Sequence, residues 1–225
     1  MRELWRYNWH VYTTDRLELM SLMHAPADSV LLILRDDRYD GVVPGSVRLA
    51  DLKGSANPEQ RGPEHLRSVL DPPNQIINFV HVADEPADVV RETGILLDRP
   101  GRRRLLREVA SGRPEEAAAR AATEIAEVEA ACPASDFDLE EALTRLKAQA
   151  AGPADGAGVD RLRAAIASGA PLTWDELTGI VDPADPGTDF WDFVRIATSV
   201  LAAERPAGPD LLPPSSAAAW REHLG

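Results

Sequence analysis

The stretch Gln75-Ile76-Ile77-Asn78-Phe79-Val80-His81-Val82 constrains this chain most. It is dense in β-branched and aromatic residues, and Asp71-Pro72-Pro73-Asn74 punctuates the chain just before it. That pattern predicts a strand over 75–82. A strand needs partners, and two other segments offer themselves. Ser29 to Arg35 is a continuous apolar run of strand length, consistent with a strand buried on both faces. Trp9 to Thr13 is rich in aromatic and β-branched residues. Between these lie helical signals. Thr14 or Asp15 caps a short helix through Met23, Glu64 to Leu70 reads as another, and Pro86 stands at a favourable first position for a helix through Leu97. Residues 36–63 are loop-like, punctuated by Gly41, Pro44, Gly45, Gly54, Pro58, Gly62 and Pro63. The front hundred residues therefore predict an α+β layer, a sheet with helices on one face.

The rest of the chain reads as helical. Arg102 to Ser111, Pro114 to Ala131, Asp138 to Ala150 and Val159 to Ala167 carry helical spacing or composition. Thr173-Trp174-Asp175-Glu176 has the pattern of a capping box. An amphipathic helix is expected from Phe190 to Glu204, and a short one from Ser216 to Leu224. The break Asp98-Arg99-Pro100-Gly101 sets the expected division: an α+β domain over 1–100 and an acidic helical domain over 101–225.

Charge follows the same division. The net charge is −13, yet residues 1–114 hold 16 basic and 17 acidic residues, against 8 and 20 in residues 115–225. An acidic back half disfavours nucleic acid as a partner. A small phosphate ligand in the front half needs only a few local cations. The 22 arginines against Lys53 and Lys147, with abundant alanine, suggest a GC-rich bacterial genome. The longest apolar run, Val30 to Leu34, is too short to cross a bilayer. No long apolar segment follows Met1, and Cys132 is the only cysteine. A cytoplasmic protein with no membrane partner and no internal disulfide is expected.

Two short segments carry the chemistry. The first is Pro44-Gly45-Ser46-Val47-Arg48; the second is Asn78-Phe79-Val80-His81-Val82-Ala83-Asp84, followed by Glu92. In this order, with Asp84 three and Glu92 eleven residues past His81, they resemble the active-site half of a nucleoside diphosphate kinase. The resemblance covers about fifty residues, Pro44 to Glu92. It implies a ferredoxin-like sheet with helices and a kinase-type phosphotransferase activity. His81 would take the terminal phosphate of ATP or another nucleoside triphosphate as phosphohistidine, and pass it to a second nucleotide. Glu92 would hold the second ring nitrogen and stabilise the cation that forms. Arg48 would contact phosphate, since its planar, permanently charged fork suits phosphate oxygens. Asn78 would bond the ribose hydroxyl or a nearby phosphate, and Asp84 would brace the loop after the histidine. Mg²⁺ would arrive mainly on the nucleotide's phosphates rather than in a protein metal site. Family members are oligomers, so a homo-oligomer or a partner subunit completing the site is implied as well.

The match also departs from the family pattern. There is no Lys-Pro-Asp segment, and no lysine precedes Lys53. Val82-Ala83 stands where the family has Gly-Ser, and Asp51 to Asn74 is a longer insertion. Loss of a positioned cation can lower a phosphoryl-transfer rate by orders of magnitude. The alternative expectation is therefore a catalytically impaired nucleotide-binding or protein-interaction module. Asp182 to Asp189 has acidic spacing without the EF-hand pattern and reads as a polar turn.

Overall fold

The computed structural model describes residues 12–24, 29–112, 114–132, 134–149, 156–205, 219–220 and 222–224. They fold as helices joined by loops: α1 (Thr14–Met23), α2 (Gly45–Lys53), α3 (Leu66–Leu70), α4 (Pro86–Leu96), α5 (Arg99–Ser111), α6 (Pro114–Ala131), α7 (Leu139–Ala148), α8 (Gly156–Ser168), α9 (Trp174–Thr178) and α10 (Phe190–Val200). The chain divides into two units. One combines residues 1–26 with 133–209; the other combines 27–132 with 210–225. The expected boundary near residue 100 thus falls within the second unit.

The first unit is a helical cluster whose packing follows from its sequence. In α10, Phe193, Val194, Ile196, Ala197 and Val200 are buried. Their spacing of three and four residues puts them on one helical stripe. That stripe packs against α7, α8 and α1, which present Leu143 and Leu146, Val159 and Leu162, and Leu19 and Met20. Trp174 at the start of α9 meets Phe193 edge-to-face, with ring centroids 6.0 Å apart. The starts of α1, α7, α9 and α10 are capped by short polar side chains. Thr13 accepts from the Arg16 amide, Asp138 from the Glu141 amide, and Asp189 from the Trp191 and Asp192 amides. The capping box at Thr173 and Glu176 forms as the sequence indicates. Arg145 on α7 grips Asp192 on α10 from Nε and Nη2 through two bonds of 2.8 Å, and donates to Asp136 from Nη1 at 2.9 Å and from the shared Nη2 at 3.0 Å. The two carboxylates raise the Arg145 pKa, with the hydrogen bonding to Asp192 the larger cause.

The second unit overturns the expected α+β, ferredoxin-like sheet. Among the described residues there is no strand, only the isolated bridges Tyr12 to Glu204 and Leu172 to Leu201, both outside this unit. The segment 75–82 is irregular for a local reason. The Asn74 side chain accepts from the amides of Ile76 and Ile77 at 2.9 and 2.8 Å. An Asx turn of this kind takes amides that a ladder would need and bends the chain. Phe79 then adopts a left-handed backbone, φ +61°, and the Val80 amide turns back onto the Asn78 carbonyl at 2.8 Å. Ile76 and Ile77 are still buried, so the apolar residues serve a core without forming a strand.

The run Ser29–Arg35 has no regular secondary structure and no ladder partner among the described residues. Leu31 to Leu34 are exposed rather than buried on both faces. For the third expected strand, residues 9–11 lie outside the described residues and Tyr12 makes only its single bridge. Pro44-Gly45-Ser46-Val47-Arg48, a pattern common in turns, opens α2 instead. Val47 and Ala50 of α2 are buried with Val43, Ile76 and Ile77, and α2 contacts α3 and α4. No helix among the described residues is long and apolar enough to cross a membrane.

Candidate functional site

Among its described residues the second unit has a small apolar core and three buried charged side chains: Lys53, Arg67 and Glu92. Burial of a charge is costly unless it is paired, so each must have a partner. Those partners define the site.

Glu92 stands in the second half of α4, a helix started by Pro86 at its first position. Its carboxylate is nearly closed to solvent and accepts from two sides. His81 Nε2 lies 3.0 Å from Oε2, and a guanidinium nitrogen of Arg91 lies 3.1 Å from Oε1. An ionised carboxylate only accepts hydrogen bonds, so it fixes the ring proton on Nε2 and makes Nδ1 the basic nitrogen. The His81 side chain is 42% exposed against 11% for Glu92. The arrangement is a solvent-reachable imidazole held by a buried carboxylate. Arg91 also bonds Asp88 one turn earlier, at 3.2 Å. Burial pushes the Asp88 carboxyl above the usual range, and the Arg91 bond opposes that only in part.

Asp84, three residues past His81, accepts from Lys53 Nζ at 2.8 Å. Arg67 ties the same region together, donating to the Gly54 carbonyl at 2.9 Å and the Val80 carbonyl at 2.8 Å. The loop carrying His81 is therefore fastened from α3 just before the ring and from α2 just after it. Around these groups opens a polar cleft of about 440 Å³, lined by Lys53, Ser55, Gln60, His65, Arg67 and Asp84 among others.

The expected site residues fare differently. His81 and Glu92, paired in the sequence reading by the family resemblance, lie 3.0 Å apart. Asp84 sits beside a cation. Arg48 pairs within the chain, with Asp40 at 3.3 Å and Asp36 at 3.7 Å. The second distance is an electrostatic approach, too long for a hydrogen bond. Asp40 is held below the ordinary carboxylate range, first by the Val42 amide and further by Arg48. Asn78 donates to the Gln75 carbonyl at 3.1 Å within its own turn. Among the described residues no group of three His, Cys, Asp or Glu side chains converges to hold a metal ion.

Sequence reasoning missed Lys53, His65 and Arg67. For Lys53 a signal existed: it continues the stripe Val47, Ala50, Lys53 on the buried face of α2. A lysine on an apolar stripe demands an anionic neighbour. Arg67 carries no comparable signal, since its two carbonyl acceptors come from loops thirteen residues away on either side. Comparison of the chain with protein-family models, curated proteins and solved structures finds no match.

Proposed function

We propose that residues 27–132 form a phosphotransfer site in which His81 accepts the terminal phosphate of a nucleoside triphosphate. The observation that carries this reading is the 3.0 Å contact between His81 Nε2 and the buried Glu92 carboxylate. With the proton held on Nε2, the Nδ1 lone pair attacks the γ-phosphorus and the bond to the β,γ-bridging oxygen breaks. The diphosphate leaves with that electron pair. Positive charge then developing on the ring is balanced by Glu92, whose own geometry is set by Arg91. Attack by a second nucleotide's terminal phosphate oxygen on the phosphohistidine restores the ring. Mg²⁺ would enter with the nucleotide. A cytoplasmic location suits such a substrate, and a homo-oligomer or partner subunit would supply further cations to the site.

Incubation with γ-labelled ATP and Mg²⁺ tests this. The reading expects acid-labile label on the wild type and none on His81→Ala. An unlabelled wild type removes it.

A second reading has its own observation. Lys53 and Arg48 are engaged by Asp84, Asp36 and Asp40 of the chain itself. Cations already occupied by carboxylates suit a module that binds a nucleotide, or a protein partner, without turnover. Calorimetry showing ATP binding with no label on His81 selects this reading over the first.

A further inference from the structure

We infer that the polar cleft between α2 and α3 is an anion-binding site of its own, in which Asp84 acts as a resident stand-in for the phosphate group of a small phosphomonoester. The inference does not depend on His81 chemistry. Three observations lead to it. The first is an asymmetry in the Lys53–Asp84 pair. The lysine side chain is 11% exposed while the aspartate side chain is 55% exposed. The buried cation must keep an anionic partner, whereas Asp84 can rotate into water at little cost. A tetrahedral oxyanion can therefore exchange with the carboxylate at Nζ.

The second observation is the surrounding donor chemistry. His65 Nδ1 accepts from the Gly62 amide at 2.7 Å, which leaves the proton of the neutral ring on Nε2, 3.7 Å from the exposed Glu64 carboxylate, another anion that a ligand would displace. Arg67 adds a fixed positive charge to the same wall, with its guanidinium held between the Gly54 and Val80 carbonyls. Ser55 donates to Gln60 Oε1 at 2.9 Å, so the Gln60 amide nitrogen remains as a donor group at the cleft wall.

The third observation is size and backbone. A volume of about 440 Å³ lies in the range of small-molecule sites and exceeds what one phosphate fills. The ligand class is thus a phosphomonoester with a polar body. Gly54, at φ +79°, brings its backbone to the cleft wall where a Cβ would stand 2.6 Å from the Cβ of His65. The wall is shaped by a residue that only glycine satisfies.

The test uses inorganic phosphate as the probe, followed by amide chemical shifts and by calorimetry on the full chain. Wild type is expected to show phosphate-dependent shifts at Gly54, Gln60 and Asp84. Asp84→Asn removes the competing charge and keeps the shape, so phosphate should bind about fivefold more tightly, the scale of a partly exposed ion pair. Lys53→Gln should weaken binding at least about tenfold, as loss of a charge-assisted bond does. Lys53→Arg should retain it, which guards against a Gln variant that fails to fold. His81→Ala should bind phosphate as wild type does, so failure of the phosphotransfer reading leaves this one standing. Equal affinity of wild type, Asp84→Asn and Lys53→Gln overturns the inference, and so does absence of binding to a folded Asp84→Asn protein.

Discussion

Glu92→Gln separates an oriented nucleophile from a mere salt bridge. The substitution preserves length and branching but replaces one acceptor oxygen with a donor. In the native site both neighbours donate to Glu92: His81 from Nε2 at 3.0 Å and Arg91 from its guanidinium at 3.1 Å. A glutamine can satisfy only one. If its oxygen stays with Arg91, its NH₂ faces His81 and requires Nε2 as acceptor, which moves the ring proton to Nδ1, the attacking atom. If its oxygen turns to His81, the NH₂ opposes the guanidinium and one charge-assisted bond is lost.

The loss of such a bond costs about 1.5–3 kcal/mol. With His81 42% exposed, the lower end, about 1.5 kcal/mol, applies to stability. The rate should suffer more, because a wrong tautomer removes the nucleophile. Comparable tautomer errors lower turnover by about 10⁴ in a Ser-His-Asp enzyme. A loss on the order of 10³ is expected here, since the exposed ring can also exchange protons with water. Rapid-quench measurement of label transfer from γ-labelled ATP, beside urea unfolding of the same variant, gives both numbers. Labelling of Glu92→Gln at the wild-type rate would refute the reasoning, because an imidazole needing no orientation has no use for a buried carboxylate.

Three further outcomes are expected. Leu143→Ala, in the fully buried contact of α7 with α10, removes three carbons worth about 2.4 kcal/mol by transfer, and the residual cavity raises this to about 3–4 kcal/mol. Urea titration checks it against Leu106→Ala on α5, an exposed site where a change within about 0.5 kcal/mol is expected. Gly54→Ala forces a Cβ into His65 at a backbone angle that L-residues avoid and should destabilise residues 27–132 by about 2–4 kcal/mol, read as lost amide-exchange protection there. Asp88 has its pKa raised by burial, so its contribution to stability is full below the unfolded value near 3.8 and falls as pH climbs through the higher folded value. Asp88→Asn should therefore melt above the wild type at pH 7, with the difference closing near pH 3; a variant that melts lower at pH 7 than at pH 3, relative to wild type, would contradict this.

What the sequence made legible follows the range of the interactions involved. The α10 stripe and the Thr173 capping box are set by residues three and four apart, and both appear as read. The His81–Glu92 pair came to view only through the resemblance of its motif to a known family, since nothing in the local pattern says which face of the helix meets the ring. The sheet was misread because strand propensity speaks only of fitting a pleated surface. It is silent about whether a partner exists and about Asn74 capturing the amides of Ile76 and Ile77. Asp36 and Asp40 engage Arg48 from a loop whose course no local pattern reveals. The Lys53–Asp84 pair, 31 residues apart, needed the fold itself.

The first unit is assembled from two stretches of chain that lie far apart in sequence. Trp174 donates its amide to Asp15 over a separation of 159 residues, and Thr13 donates its hydroxyl to the Ala202 carbonyl over 189. On the ribosome, α1 must therefore wait, its apolar side without the surface it is made for, until more than a hundred later residues have been synthesised. The length of that excursion matters little to the final balance, since doubling a closed loop costs only about 0.6 kcal/mol. The contacts of α1 within its own unit therefore depend little on the length of chain synthesised between them.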